Sequence, residues 1–331
     1  MSSQQAIASL SLDLDNRWSY LKVHGDSGWE EFPSYLDLFV PRVLEFLSLR
    51  NLKITFFVVG QDAALEKNHT ALRAIAKEKH EIGNHSFSHE PWLHLFPIER
   101  IEREIQSTED QIVAITGERP IGFRGPGFSF SDATFQVLEQ RGYLYDATTL
   151  PTFLGPLARS YYFLHSNLTR RNHKERDFLF GSFWQGLRPL KPYRWHGNGG
   201  LLEIPVTTMP ILRTPIHLSY ILYLSLYSSF IALEYFRAAL LLCRWAGISP
   251  SLLLHPLDFL GQNDNVGLSF FPAMNLCRSR KLRLVSEVLR MLCDEFQVVS
   301  VREHAMRIAN AHETGMLGSR SYSKLSAGNN R

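Results

Sequence analysis

The chain lacks the features that mark three common classes of protein. Its 331 residues include only three cysteines, Cys243, Cys277 and Cys293, and none belongs to a CxxC pair. This excludes a disulfide framework and a zinc knuckle, and it predicts a reducing compartment. The 35 lysines and arginines against 32 aspartates and glutamates give a net charge of only +3, so no nucleic-acid partner is expected. The first residues carry neither a basic stretch nor a long apolar run, so no signal peptide is predicted and we expect a cytoplasmic protein.

What the sequence does contain is an alternation of short apolar runs with segments of helical periodicity. Unbroken apolar runs are typical of strands that are covered on both faces. They lie at Ala6–Leu14, Leu52–Val59, His80–Asn84, Ile121–Phe123, Tyr143–Tyr145, Leu201–Val206, Ser251–Leu254 and Gln297–Val301. Helical spacing predicts helices at Ser34–Leu49, Asp62–Lys79, Pro97–Ile115, Ser131–Gln140, Pro272–Cys293 and Arg302–Asn310. We therefore predict an α/β fold, a distorted (β/α) barrel of about seven to eight parallel strands.

Residues 1–312 are predicted to form this single barrel domain, and a flexible C-terminal tail follows at 313–331. The barrel pattern is interrupted by a long insertion at 149–200, which is rich in arginine and aromatic residues. Arginines pair with phosphate and aromatic faces stack on sugar rings, so Trp184 in this insertion is a candidate substrate-binding residue. The same mixture could stack single-stranded nucleic acid, but the low net charge disfavours that partner.

A second segment, the apolar helical segment at 214–246, also departs from the barrel pattern. It begins with Thr214–Leu233, which carries no formal charge and is long enough to span a bilayer. Its serines, tyrosines and histidine, and its place between two barrel strands whose ends share one side, argue against a span. A buried barrel helix and an apolar patch in peripheral contact with a membrane or a lipid tail are the remaining interpretations.

Polar side chains follow five of the predicted strands at the point where each strand ends. These residues are Asp13, Asp15, His85, His89, Arg124, Asp146 and His255. In an α/β barrel the carboxyl ends of the strands converge on one face, where active sites are built. Polar residues that serve only to complete hydrogen bonds in the core would not favour that end of the strands, so we predict a functional site there.

The run Asn84–His89 contains two imidazoles four residues apart. Such a pair can face one cation, although it is common by chance in a chain with 13 histidines. The acidic residues Asp13 and Asp15 at the end of another strand strengthen the prediction, because one Asp and two His leave a coordination position open for water. We predict one divalent ion, most readily zinc, although Co, Ni, Mn or Fe would accept the same ligands.

Taken together, these motifs resemble those of the polysaccharide deacetylase family. This family carries the nodulation-type chitooligosaccharide deacetylase homology domain and forms carbohydrate esterase family four. The resemblance rests on Asp13 and Asp15, the His85–His89 run, Phe123–Gly127 and Leu252–Pro256, which occur in the family's order and spacing over roughly residues 6–310. It implies that Asp15, His85 and His89 bind the metal.

The resemblance also implies catalytic roles. Asp13 would be the general base that activates the attacking water, Arg124 would hold that base, and His255 would be the general acid. Gly125, Pro126 and Gly127 would line the substrate site, with a backbone N–H near Gly127 stabilising the oxyanion. Independently of the family, amide hydrolysis needs a polarised carbonyl and a proton for the departing amine, and histidine titrates in a suitable range.

Two motifs depart from the common family pattern. Leu14 separates the two aspartates, as in a D-x-D variant of atypical members, so either Asp13 or Asp15 could bind the metal, and we favour Asp15. The fourth motif, which normally carries an Asp and a Trp, is represented only by Asp146. We predict Asp146 as a catalytic partner of Arg124 or His255, with a loop-capping role as the alternative.

The leading prediction is a metal-dependent hydrolase that removes an N-acetyl or N-formyl group from an amino sugar of a cell-envelope or exopolysaccharide glycan. A phosphorylated or polyprenyl-linked precursor would suit the arginine-rich insertion and the apolar segment, at the cytoplasmic face of a membrane. One alternative is an amidase or imidase that acts on a small cyclic amide. The other is a non-catalytic carbohydrate- or lipid-binding module, which would have no need for an acid, a base and three metal ligands.

Overall fold

The computed structural model describes residues 6–154, 183–195 and 200–313, without the side chains of residues 183, 184, 312 and 313. The strands of these residues are β1 Ile7–Asp13, β2 Thr55–Val58, β3 Glu81–Asn84, β4 Gly122–Phe123, β5 Tyr145–Asp146, β6 Tyr193–Arg194, β7 Leu202–Glu203, β8 Ser251–Leu254 and β9 Gln297–Val299. The α-helices are α1 Arg17–His24, α2 Leu36–Ser48, α3 Gly60–Ala64, α4 His69–Lys77, α5 Ile98–Thr116, α6 Asp132–Gln140, α7 Leu218–Ser225, α8 Ser229–Trp245, α9 Arg278–Glu295 and α10 Val301–Glu313.

All of these strands belong to one curled sheet. Its order is β6-β7-β5-β4-β3-β2-β1-β8, and β9 pairs with the first residues of β1. Every pairing between the described strands is parallel except that of β6 with β7. Shortly after β7, the backbone N–H of Thr207 donates to the carbonyl of Ser251 in β8 at 3.0 Å, so the two sides of the sheet approach each other. The predicted α/β fold with a distorted barrel is confirmed, and β6 is an antiparallel addition that the sequence did not predict.

The helices cover the outside of the sheet with the apolar faces that their spacing predicts. In α2, Leu36, Phe39, Val40 and Val43 are fully buried in the main core. The side chain of Ser131 accepts a hydrogen bond from the backbone N–H of Thr134 and caps α6, as its position before an apolar-periodic segment predicts. These helix faces and the side chains of the strands together form the apolar core of the described residues.

The helix predicted over 62–79 is wrong in its extent, because the structure divides it. α3 ends at Ala64, Leu65 is extended, and α4 begins only at His69. The break is held by Asn68, whose amide donates to both the backbone carbonyl and a carboxylate oxygen of Asp62. The same Asp62 carboxylate also accepts hydrogen bonds from Asn16 and Trp18, at the start of α1. Local periodicity does not predict these contacts with α1.

The apolar helical segment forms two helices against the barrel. α7 and α8 are separated at residues 226–228, and the Ser228 side chain caps α8 by accepting from the N–H of Ile231. One face is buried, through Ile221 in α7 and Phe236 in α8 among others. Among the described residues, no helix is both long enough and apolar enough to cross a membrane. The outer face of α8 nevertheless exposes large apolar side chains.

The insertion and the tail are described only in part. Residues 155–182, 196–199 and 314–331 lie outside the described residues, as does the side chain of Trp184. Within the insertion, the Trp195 ring stacks on Phe135 of α6 with 4.1 Å between ring centroids. This contact joins the β6 hairpin to the barrel.

Candidate metal centre and active site

The strand register brings the first two predicted motifs to the same height. Asp13 in β1 pairs with Phe57 in β2, and Phe57 pairs with Gly83 in β3. Asp15 lies two residues after Asp13, and His85 lies two residues after Gly83. They therefore leave the sheet at the same level, at the carboxyl ends of the strands.

The loop that carries the two histidines is held from below by Glu104 in α5. This buried carboxylate accepts hydrogen bonds from the backbone N–H groups of Phe87 and Ser88, at 3.0 and 2.7 Å, and from the Ser88 hydroxyl at 2.6 Å. Ser86 and His89 adopt left-handed backbone conformations, with φ of 58° and 50°, which these bonds help to retain. Glu104 was not predicted from the sequence. The one sign of its role there is that it is an acidic residue on the apolar face of α5.

The side chains of Asp15, His85 and His89 form a compact group. Oδ1 of Asp15 lies 2.9 Å from Nε2 of His89 and 3.5 Å from Nε2 of His85. One ligand atom from each of the three lies within 4.8 Å of the others, and all three residues are buried. Nδ1 of His85 is 2.6 Å from the carbonyl oxygen of Arg124, to which it can donate, so its Nε2 is left for a metal.

This donor set fits a divalent cation. Oδ1 of Asp15 is buried and faces both imidazoles, with no further hydrogen-bond partner among the described residues. Burial favours a higher pKa for the Asp15 carboxyl, but the charge of the two imidazoles and their hydrogen bonds to it outweigh burial and hold the pKa well below its usual range. One carboxylate and two imidazoles suit zinc and the neighbouring first-row ions, and they leave positions open for water and substrate. The three residues can therefore hold one metal ion.

Asp13 lies beside this group and pairs with Arg124. Nη1 of Arg124 donates to Oδ1 of Asp13 at 2.7 Å, while Oδ2 of Asp13 lies 4.0 Å from Nε2 of His85. Arg124 is fully buried, and it also donates to the Ser11 hydroxyl at 2.9 Å and the Ala147 carbonyl at 2.8 Å. A buried charge needs such compensation, and the arrangement fixes the direction in which Asp13 presents its free oxygen.

The structure places Asp146 elsewhere than predicted. Its carboxylate accepts a short hydrogen bond from the Thr148 hydroxyl and lies beside Glu203 on the neighbouring strand, whereas Arg124 pairs with Asp13. Burial, together with the charge of Glu203, raises the pKa of Asp146 well above its usual range, and burial raises that of Glu203. The expected pairing of Asp146 with Arg124 or His255 is thus replaced by a buried carboxyl pair. Thr148 links this pair to the next loop, since it accepts a hydrogen bond from the N–H of Gly125.

The Gly125-Pro126-Gly127 loop needs its glycines for close packing. A Cβ on Gly125 would lie 2.0 Å from the carbonyl oxygen of Ser129. Gly127 has φ of +59°, and a Cβ there would lie 2.9 Å from Cβ of Pro91. The loop follows β4 beside Arg124, at the same end of the barrel as the metal ligands, and its substrate-binding role stays a prediction.

His255 follows β8 next to Asp13. Leu254 pairs with Leu12 in parallel register, so His255 lies level with Asp13 on the adjacent strand. Its backbone N–H donates to Oδ2 of Asp258 at 2.7 Å, within a turn that begins at His255. Asp258 is the carboxylate that accompanies His255, and sequence analysis missed it. The signal was an acidic residue three positions after the histidine, as in a capping box.

Part of this site lies in a region that is similar to a known family. A family model described as polysaccharide deacetylase matches residues 26–145. The matched region of the chain is thus similar to the polysaccharide deacetylase family. It contains His85, His89 and Arg124, and the fold brings Asp13, Asp15 and His255 to them from outside the match.

The polysaccharide deacetylase match is supported by individual relatives. A peptidoglycan-N-acetylglucosamine deacetylase of Bacillus cereus is 36% identical over 88 residues, 27% of this chain and 31% of the relative. A peptidoglycan deacetylase of Helicobacter pylori is 25% identical over 151 residues, 44% of this chain and 50% of the relative. The chain thus spans about a third to a half of the length of these curated relatives.

One solved structure resembles the whole chain. It is that of a proposed polysaccharide deacetylase from Mycobacterium smegmatis, with a TM-score of 0.61 and 19% identity over 99% of this chain and 97% of that one. At this identity the likeness concerns the fold alone, which the two chains share over nearly their full length.

Proposed function

We propose that the protein is a metal-dependent hydrolase that removes an N-acyl group from an amino sugar of a glycan. The observation that carries the proposal is the grouping of Asp15, His85 and His89 at one end of the barrel, next to the Asp13–Arg124 pair. The names of the relatives, which are peptidoglycan deacetylases, make N-acetylglucosamine glycans the first substrates to test.

Each group has a task in such a reaction. A divalent ion held by Asp15, His85 and His89 would supply Lewis-acid polarisation of the acyl carbonyl and of the attacking water. Asp13 takes the proton of that water at Oδ2, because Oδ1 is bound to Arg124. His255 lies level with Asp13 and gives a proton to the departing amine, which leaves poorly as an anion.

We also propose the finer features of the substrate. The acyl group is acetyl or formyl, and the sugar is a phosphorylated or polyprenyl-linked precursor at the cytoplasmic face of a membrane. The support is the outer face of α8, where Phe230 is 73% and Trp245 83% exposed, with Arg237 and Arg244 between them. Aromatic and cationic side chains on one helix face are typical of helices that lie at a lipid surface.

The test is a panel assay of acyl release by the metal-loaded protein. Acetylated and formylated amino sugars, their phosphates, N-acetylglucosamine oligomers and cyclic imides are supplied with one equivalent of metal. We expect release from the amino sugars and none after Asp13→Asn, whereas Asp26→Asn, a loop aspartate outside the site, retains activity. Release from cyclic imides alone would favour the imidase alternative, and bound metal without release from any substrate would contradict the proposal.

A second measurement tests the lipid linkage. The double variant Phe230→Ser, Trp245→Ser should lose binding to vesicles of anionic phospholipid and lose activity on a polyprenyl-linked sugar, while its activity on a soluble sugar phosphate is unchanged. Equal vesicle binding by the variant and the wild type would refute the membrane contact.

A further inference from the structure

His255 contacts a serine through its ring and a buried carboxylate through its backbone N–H, and the contribution of these two residues to the site has not been assigned. Nδ1 of His255 lies 3.1 Å from the Ser219 hydroxyl oxygen, and that hydroxyl donates a 2.7 Å hydrogen bond to Oδ1 of Asp258. The other oxygen of Asp258 accepts the backbone N–H of His255. We propose that Ser219 and Asp258 are positioning residues that keep a proton on Nδ1 of His255, so that Nε2 carries the proton that reaches the substrate.

The hydrogens available to this group determine the tautomer of His255. A serine hydroxyl has a single hydrogen, and an ionised carboxylate only accepts. The hydrogen of Ser219 is used on Asp258, so its oxygen faces the His255 ring as an acceptor. A ring with its hydrogen on Nε2 alone would set two lone pairs against each other across 3.1 Å. The stable tautomer therefore has hydrogen on Nδ1, and Nε2 is the nitrogen whose protonation changes.

Two buried charged residues accompany this group. Asp258 and Lys281 are each only 1% exposed, and Lys281 donates to the Leu257 carbonyl at 2.8 Å. Burial raises the pKa of the Asp258 carboxyl above its usual value, and the charge of His255, the hydrogen bonds from Ser219 and the His255 backbone, and the charge of Lys281 limit that rise. The two oxygens of Asp258 accept from the Ser219 hydroxyl and from the His255 backbone N–H, which are the hydrogen bonds that a buried carboxylate needs.

A second histidine does not compete for this role. The ring of His217 lies 6.2 Å from that of His255, and burial, with a further contribution from the charge of His255, lowers the pKa of His217 to about 3. His217 therefore faces His255 as an uncharged ring at neutral pH. Of the two imidazoles, His255 is the one bound to the Ser219–Asp258 pair.

The proposed tautomer matches the proton balance of hydrolysis, and this part of the inference rests on the proposed function. The water oxygen bonds to the acyl carbon and its proton passes to Asp13. The carbon–nitrogen bond breaks, and the proton of Nε2 passes to the amine nitrogen. The neutral ring that results already has its hydrogen on Nδ1, so His255 gives up the Nε2 proton without turning its ring or changing tautomer.

Nitrogen-15 NMR of the full-length, metal-loaded protein with labelled histidine tests the assignment. Signals of His255 are identified by their loss in His255→Gln. At a pH where the ring is neutral, we expect hydrogen on Nδ1 in the wild type and in Ser219→Thr, and on Nε2 in Ser219→Ala. Asp258→Asn should weaken the Nδ1 preference, and Ser229→Ala, an exposed serine of α8, should leave it unchanged.

Kinetics provide the second readout. Ser219→Ala should lower kcat by about 10–100-fold with KM unchanged, which is a part of the ~10²–10⁴-fold that acid–base groups contribute to the rate. Ser219→Thr, which keeps the hydroxyl, should keep a kcat close to that of the wild type. A wild-type ring with hydrogen on Nε2, or the same tautomer in Ser219→Ala as in the wild type, would overturn the inference. Nδ1 protonation in a protein without acyl release would instead refute the proposed function and leave the tautomer assignment intact.

Discussion

Replacing Arg124 with lysine separates the need for a charge beside Asp13 from the need for a guanidinium. Arg124 is fully buried and donates to Asp13, Ser11 and the carbonyl of Ala147, while its guanidinium lies 4.4 Å from the centre of the Phe57 ring. Lysine keeps the charge and can reach Asp13, but a single ammonium cannot also reach Ala147, which Arg124 contacts from the other side of its planar group.

The magnitude follows from the contacts that are lost. Hydrogen bonds from a charged donor contribute about 1.5–3 kcal/mol each, and a desolvated cation–π contact contributes about 2 kcal/mol. The pair with Asp13 is kept, while the hydrogen bond to Ala147 and part of the ring contact are lost. We therefore expect Arg124→Lys to lower the free energy of unfolding by about 3 kcal/mol. A base held by one flexible ammonium loses part of its ~10²–10⁴ contribution, so kcat/KM should fall about 100-fold.

The measurements are urea unfolding of the metal-loaded protein and kcat/KM for the best substrate of the panel. Arg290→Lys is the matched control, because Arg290 is exposed and forms its ion pairs with Glu287 and Asp294 on the same helix, α9. It should leave both the free energy of unfolding and kcat/KM close to the wild-type values. An Arg124→Lys protein that matches the wild type in both quantities would refute the argument that the guanidinium fixes Asp13.

Three further predictions concern the metal ligands and the buried carboxyls. A chelator, or His89→Ala, should remove the single bound ion and abolish hydrolysis, as measured by elemental analysis and acyl release; full activity without metal would contradict the assigned site. Glu104→Gln should weaken metal affinity about 10–100-fold in a competition titration because it loosens the histidine loop, whereas Glu102→Gln, on the exposed side of the same helix, should not. Burial raises the pKa of Glu203 and of Asp146, so their contribution to stability is complete at acid pH and is lost as pH rises through the folded-state pKa values. Glu203→Gln should therefore reduce the loss of unfolding free energy between acid and neutral pH, and urea unfolding at a series of pH values that gave the wild-type slope would disprove this.

The partners of the site residues were harder to predict from the sequence than the site itself. Strand ends identified His85, Arg124 and His255, because a polar residue after an apolar run is visible locally. Asp146 stands at such an end as well, yet its carboxylate lies beside Glu203, a residue 57 positions later that only sheet pairing brings near. A rule based on strand ends gives position along the barrel axis and says little about which neighbour a side chain meets.

Glu104 and Asp258 were missed for a related reason. Both are acidic residues that the sequence does not distinguish from solvent-exposed charges. Only burial shows that Glu104 accepts three hydrogen bonds from the histidine loop and that Asp258 accepts from Ser219 and His255. Local periodicity also failed to predict the break between α3 and α4. Asn68 donates to Asp62, and Asp62 accepts from Asn16 at the start of α1.

The sequence by itself determined the alternation of strands and helices and the residue types at the strand ends, because burial of apolar faces imposes a period that any local window contains. Only the tertiary structure decided that Asp15 joins the two histidines while Asp13 meets Arg124. Two aspartates separated by one leucine leave the same strand, and what distinguishes their neighbours is the register of strands that are 40 to 110 residues away. Side-chain pairing across a sheet is set by that register, which no local pattern encodes.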